Sequence, residues 1–270
     1  MISRQPSPSS ARPARHRPWI LGAVALLGLA ALRGANPPAA RSADKPAEAC
    51  PMDEPLRLLA EAKSGFEKVS DYTCTLVKKE RINGELTPEN VVAMSVRTEP
   101  FGVDLRWLKP QGMSGQEACY VAGKYDGKMR VRAAGLLGAV GFISMDPTDP
   151  RCQKTSRHAI TEAGIGNLIE RFIGRWELER KLNVTQVRIG EYEYNKRRCV
   201  RVETIHPTNP DDQFLCYRTV VYFDKENHLP IRIEAYDWPH GDGDSGALVE
   251  SVSYANLHLN VGLADETFNH

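Results

Sequence analysis

Six cysteines and seven histidines are the side chains best suited to metal ligation or nucleophilic chemistry in this chain. The cysteines are Cys50, Cys74, Cys119, Cys152, Cys199 and Cys216. No two of them form a Cys-x-x-Cys pair, the spacing of zinc and dithiol redox sites. The histidines are His16, His158, His206, His228, His240, His258 and His270, and none lies within four residues of another. A helical metal pair is therefore absent, and loop or surface histidines are the reading. Asp242-Gly243-Asp244 has a calcium-loop flavour, but the twelve-residue ligand spacing and its closing Glu are missing, so a polar hairpin tip is expected. Gly135, Gly138 and Gly141 do not follow a strand and open a capped helix, as a dinucleotide fingerprint would. No nucleophile elbow and no phosphate-loop Lys occur. Asn183-Val184-Thr185 is a sequon that reads as coincidence. The motifs thus name no metal, no cofactor and no catalytic residue, and the expectation is a protein that binds rather than catalyses.

Charge and the leader set the compartment. Residues 1–43 hold six Arg and no acid, so 35 basic residues become 29 against 34 acidic ones outside them, a net charge near −5. A mildly acidic body argues against a nucleic-acid binder. Arg12, Arg15 and Arg17 precede the uncharged apolar run of residues 19–32. That length suits a signal-peptide core and is short for a membrane span, which needs about 20 residues. Residues 1–42 are read as a signal peptide cut near Ala40-Arg41-Ser42, or as an uncleaved anchor that touches the membrane. Either way the body lies in the periplasm or cell envelope. Residues 43–52 continue a Pro-, Ala- and charge-rich stretch and read as a disordered linker, which leaves 53–270 as one domain. In an exported chain six thiols can pair. Most read as small buried hydrophobes, with one unassigned disulfide. A loop centred between Asn209 and Pro210 would set Cys199 opposite Val220, too far from Cys216 to bridge.

The elements that must carry any site are mostly strands. A first helix starts near Asp53 as N-cap, with Pro55 in its first turn and Leu59, Ala62, Phe66 and Val69 on one face. Tyr72–Arg81, Val91–Thr98, Gly102–Lys109, Ala118–Tyr125 and Lys128–Ala133 read as strands, with hairpin dipeptides at Asn83-Gly84 and Asp126-Gly127. Residues 134–142, AGLLGAVGF, form an apolar small-residue loop, read as flexible or as a lid or membrane-touching element. Thr161 is the expected N-cap of a second helix. Its stripe Ile165, Leu168, Ile169, Phe172, Ile173 and Trp176 must lie on a sheet. The strands Val220–Asp224, Leu229–Trp238 and Ala247–Val261 then follow one another through short loops and must pair antiparallel.

The order Asp224, Pro230, Ile233, Tyr254, Asn256, Asn260, Leu263, Asp265, Phe268 resembles the end of the periplasmic lipoprotein-carrier superfamily. The block Ser156–Glu170, SRHAITEAGIGNLIE, resembles an uncharacterised exported family of planctomycete-type bacteria, the DUF1571-like domain of unknown function. The resemblance implies an α+β fold, mainly antiparallel β: a curved half-open barrel enclosing one or two amphipathic helices. It implies no reaction. The large inward residues Phe66, Leu105, Trp107, Tyr120, Phe172 and Trp176 either line a cavity for acyl chains or, more simply, form the helix–sheet core. The expected function is non-catalytic binding of a lipid or lipoprotein acyl group in the envelope. The alternative is a structural or protein-interaction module with a filled core and an envelope-protein partner.

Overall fold

A computed structural model of the protein describes residues 50–209, 213–241 and 243–270. The expected leader 1–42 and most of the linker lie outside the described residues. Two antiparallel meanders build the sheet. β1 (Asp71–Ile82), β3 (Asn90–Arg97), β4 (Gly102–Lys109), β5 (Glu117–Val121), β6 (Met129–Arg132) and β7 (Ile143–Met145) step from the centre to one edge. β8 (Gln186–Tyr194), β9 (Arg197–Ile205), β10 (Arg218–Asp224), β11 (Pro230–Tyr236) and β12 (Leu248–Leu259) return from the other edge. β12 pairs with β1, which joins the two meanders. The short β2 (Glu85–Leu86) folds back on β1 through Asn83 and Gly84, both at positive φ, as a two-residue hairpin turn requires. Among the described residues the sheet has twelve strands and does not close, since β7 and β8 end it on either side.

Alternation explains which face is wet. Tyr72, Cys74 and Leu76 of β1 are buried while Thr73, Thr75 and Val77 are less so. β3 repeats the pattern through Val92, Met94 and Val96. Among the described residues three α-helices accompany the sheet: α1 (Asp53–Phe66), the single turn α2 (Pro150–Gln153) and α3 (Ile165–Leu182). α1 and α3 are tied by Lys63 to Glu170 (2.8 Å) and Arg180 to Asp53 (3.0 Å). The Phe66 ring packs directly on the α3 backbone at Gly166, where a Cβ would sit 2.5 Å from it. Ile165, Leu168, Ile169 and Trp176 of the predicted stripe are buried, and Phe172 and Ile173 partly so.

The helix starts differ from expectation. Thr161 lies in a separate 3-10 turn, Ile160–Glu162, and Gly164 (φ 97°) precedes α3 with no side-chain cap of its own. The cap comes from across the fold: Ile165 N–H donates to the Tyr72 hydroxyl at 2.8 Å. A distant sheet residue thus replaces the local Ser/Thr-type cap. α1 begins at Asp53 itself, after Met52 in helical dihedrals, and the Asp53 carboxylate accepts the Cys50 N–H.

The C-terminal pattern is structural. Asp71 accepts the Gly262 and Leu263 N–H groups at 3.1 and 3.0 Å. Asn260, at φ 55°, accepts from Ser70 N–H (2.8 Å) and donates to the Lys68 carbonyl. Asp265 pairs with Arg97, whose guanidinium also covers the buried Phe268 ring. Asp224 organises the β10–β11 turn by accepting the Glu226 N–H at 2.7 Å.

The β9–β10 register also departs from expectation. Cys199 faces Asp224 and not Val220, because the loop between Ile205 and Arg218 is longer than a turn centred at Asn209-Pro210 allows. All six cysteines are free thiols. Burial pushes the Cys74 and Cys216 thiols up to about 12, so they behave as inert apolar side chains.

Candidate functional site

A cavity of about 540 Å³ lies between the concave face of the sheet and the chain segment that leads from β6 to α3. β1, β3, β4, β5 and β6 give it an apolar wall of Leu76, Val92, Met94, Ala118, Met129 and Val131. Leu105 and Trp107 complete that wall, and the Trp107 indole N–H is satisfied by Asn90 Oδ1 at 3.0 Å. A buried polar group with its partner supplied lets an aromatic ring face an apolar space without penalty.

Of the six residues expected to line a cavity, the structure brings Leu105 and Trp107 together there. It places the other four in the surrounding core. Phe66 stands edge-on to Tyr72 (6.2 Å), and Tyr120 tilts against Phe101 (6.2 Å). Phe172 meets Trp176 at 5.3 Å, and Trp176 meets Phe223 at 6.2 Å. α3 therefore fills its own part of the concavity, and the open space lies beside it, under residues 134–164. The sequence periodicity finds α3 but carries no signal for an irregular segment crossing the sheet.

The mouth is formed by the apolar loop. Gly135–Val140 is a run of 3-10 turns that leaves Leu136 96%, Leu137 74% and Val140 77% exposed. Leu137 and Val140 also touch the cavity. A contiguous exposed apolar group at a cavity mouth is a contact surface for something apolar.

Polar groups gather on the β1–β12 side. Lys78 and Glu80 continue the inward face of β1 beyond Leu76, a signal the sequence contained. Glu80 is 2% exposed and opposes Glu250 of β12 directly. Like charges side by side destabilise a sheet unless they are compensated. Lys78 Nζ answers Glu80 at 2.6 Å and reaches Ser156 Oγ at 3.1 Å. His158 Nε2 bonds Glu250 at 2.8 Å, while its Nδ1 faces Arg171 Nη1 at 3.1 Å. Arg171 can only donate, so Nδ1 accepts and Nε2 carries the proton to Glu250. Burial raises the Glu250 carboxyl, but the hydrogen bond from His158 and the positive charge of Arg171 and Arg157 nearby together outweigh it, and the group titrates below its ordinary value.

Glu80, His158 and Glu250 bring ligand-type atoms within 4.8 Å of one another. The Lys78 ammonium and the Arg171 guanidinium already hold the cationic positions there, so a metal ion would be repelled. Ser156 Oγ donates to the His158 carbonyl at 3.1 Å, so its proton rests on an amide oxygen and not on a base. This arrangement offers paired donors and acceptors rather than an activated nucleophile.

Several other histidines and acids are engaged as well. His206, read from sequence as a loop or surface residue, is 2% exposed and faces Glu179 at 3.1 Å. It stacks on Phe214 and bonds the Cys216 carbonyl through Nδ1, so the loop after β9 buries it. His270 bonds Asp104 at 2.8 Å and stacks on Phe142. Asp242 lies outside the described residues, and Asp244 spends its carboxylate on the His240 and Gly246 N–H groups. Asn183 of the sequon is the left-handed residue that ends α3. No helix among the described residues is long and apolar enough to cross a membrane.

The architecture is thus a half-open antiparallel barrel with an apolar cavity beside an enclosed helix. The chain belongs to the family described as "Protein of unknown function (DUF1571)", whose model matches residues 69–270. No curated protein matches it. Among solved structures it is similar to an uncharacterized conserved protein from Thermus thermophilus, at 8% identity and a TM-score of 0.46, covering 80% of this chain and 93% of that one. It is also similar to the lipoprotein LppX of Mycobacterium tuberculosis, at 11% identity and a TM-score of 0.43, covering 77% and 96%. A putative outer membrane lipoprotein-sorting protein domain from Vibrio parahaemolyticus matches at 13% identity and a TM-score of 0.38, covering 79% and 95%.

Proposed function

We propose that this protein is an exported, non-catalytic carrier that buries the acyl part of a lipid in the cavity between its sheet and residues 134–164. The cavity itself carries the reading. Its volume of about 540 Å³ falls within the usual range of ligand sites, and its β3–β6 wall is apolar. Each methylene moved from water onto such a wall contributes about 0.8 kcal/mol, so an alkyl chain is the ligand that uses the wall most fully. The loop at residues 134–142 supports the same reading, since uncharged leucines at the mouth meet acyl chains at a membrane surface without desolvating a charge. In this mechanism the loop swings aside, the chain slides in, and the loop closes over it. The alternative interaction module needed a filled interior, which the cavity does not support. The leader at residues 1–42 directs the domain out of the cytosol in this reading, released or anchored by residues 19–32.

Mass spectrometry of organic extracts from the purified protein tests the proposal. An acyl lipid in near-stoichiometric amount is expected. Repeated extracts without lipid, together with no uptake of added lipid, would overturn it.

A further inference from the structure

Strand alternation turns the neighbours of two cavity-wall residues to the opposite face of the sheet. Leu105 and Ala118 face the cavity, so Asp104 and Cys119 project from the other side. These two stand directly opposite each other on β4 and β5, and Arg130 of β6 is opposite Cys119 in turn. The tail after the 3-10 turn Asp265–Phe268 brings His270 onto this row, with Nε2 2.8 Å from Asp104 Oδ1. A carboxylate oxygen of Asp104, the Cys119 sulfur and a ring nitrogen of His270 then lie within 4.8 Å of one another. Donors around one zinc ion stand roughly 3.3–3.8 Å apart, so the trio needs only a small inward shift to close on one.

The surroundings hold the three donors without occupying them. The His270 ring is stacked on Phe142 at 4.6 Å, and its carbonyl accepts from Arg130 Nε at 3.0 Å. Asp104 Oδ2 receives no hydrogen bond from the described residues. The Cys119 sulfur is fully buried, and its contact is a weak one, 3.6 Å to the Phe268 carbonyl. None of the neighbouring cations takes a donor atom. Arg130 spends its other N–H groups on Ser144 Oγ (2.7 Å) and the Phe142 carbonyl (3.1 Å). Arg106 turns to Glu117 at 3.7 Å, and Lys124 to Asn269 Oδ1 at 3.1 Å. The Glu80–His158–Glu250 group differs in this respect, because there Lys78 sits on a carboxylate of the group itself.

We propose that Asp104, Cys119 and His270 bind a divalent zinc ion that fastens the C-terminal tail to β4 and β5. A mixed sulfur, nitrogen and oxygen set suits zinc and not calcium or magnesium, which take oxygen alone. On binding, a zinc–sulfur bond replaces the Cys119 S–H bond and the proton leaves to solvent. The Phe268 carbonyl stands beside the sulfur as a further oxygen donor. The ion would also steady Phe142, the last residue before β7 and the foot of the apolar mouth loop. This site lies on the face away from the cavity, and its failure would leave the lipid-carrier reading untouched.

Cobalt(II) titration of reduced, chelator-treated protein tests the proposal, since a thiolate bound to cobalt gives a near-ultraviolet charge-transfer band. The native protein is expected to develop that band at one equivalent, to lose it when zinc is added, and to melt higher with zinc. His270→Ala trims a partly buried side chain outside the core, and should weaken cobalt binding at least about tenfold while keeping the metal-free melting temperature. Cys119→Ser should abolish the band. Absence of the band in the native protein overturns the proposal. A band of equal strength and affinity in His270→Ala also overturns it, because the thiolate would then belong to another cysteine.

Discussion

The hydroxyl of Tyr72, the second residue of β1, accepts the backbone N–H of Ile165, the first residue of α3, at 2.8 Å. The two are 93 residues apart, and both are fully buried. The bond locks the start of the enclosed helix to the centre of the sheet, immediately beside the cavity. Tyr72→Phe leaves that N–H unsatisfied in an apolar surrounding and should destabilise the fold by about 1–3 kcal/mol. Gly164→Ala should do the same, because φ is 97° there and the new Cβ would sit 2.8 Å from the Tyr72 oxygen. Urea unfolding of both variants measures the effect. Unchanged midpoints would mean the bond does not fix α3.

The apolar loop makes a prediction of opposite kind. Leu136 and Leu137 contribute little to the core, since both are largely exposed. Leu136→Ser and Leu137→Ser should change stability by no more than about 0.5 kcal/mol. Both should slow lipid transfer from vesicles to the protein. Thermal melts and a vesicle-transfer assay read the two effects separately. A large loss of stability with unchanged transfer would place the leucines in the core's service instead of the membrane's.

Acid should weaken the fold through two glutamates. Burial pushes Glu203 up, but hydrogen bonds from Arg201 and Arg218 outweigh it and hold it below its ordinary 4.5. Glu250 is lowered in the same way, against its burial, by the His158 hydrogen bond together with Arg171 and Arg157. A carboxyl lowered in the folded state contributes stability above its unfolded value, and loses it as pH falls through the folded one. Melting temperature should therefore fall steeply between about pH 5 and about pH 3, and less steeply in Glu203→Gln. An equal slope in the variant would contradict the assignment.

The tail residues should matter for folding only. Phe268 is fully buried against Cys119 and Val121 on the face away from the cavity, beneath Arg97. Phe268→Ala should cost about 3–5 kcal/mol. Calorimetry gives that cost, and lipid affinity measured well below the melting point should be unchanged.

Periodicity made the strands, the α3 stripe and the Asn83-Gly84 hairpin legible, because each is a local pattern with a local cause. The inward face of β1 was legible too, and following it past Leu76 reaches Lys78 and Glu80. What stayed hidden depends on chain meeting chain. Thr161 reads as an N-cap by local chemistry, yet Tyr72 provides the cap from a strand whose distance in space no spacing reveals. His158 stands alone in sequence, and only the β1–β12 pairing brings Glu80 and Glu250 to it. Phe172 and Trp176 have the size and spacing of cavity lining, but they pack on each other, and Trp176 on Phe223, instead.

Ala118 offers the most direct test of the cavity. It lies on the wall between Leu105 of β4 and Val131 of β6, where a large ring has only the cavity to occupy. Titration of a pyrene-labelled monoacylglycerol into native protein and Ala118→Trp should give saturable binding in the first. In the second it should be at least about tenfold weaker at an unchanged melting temperature. Equal affinity in the two proteins would contradict an acyl chain in this cavity.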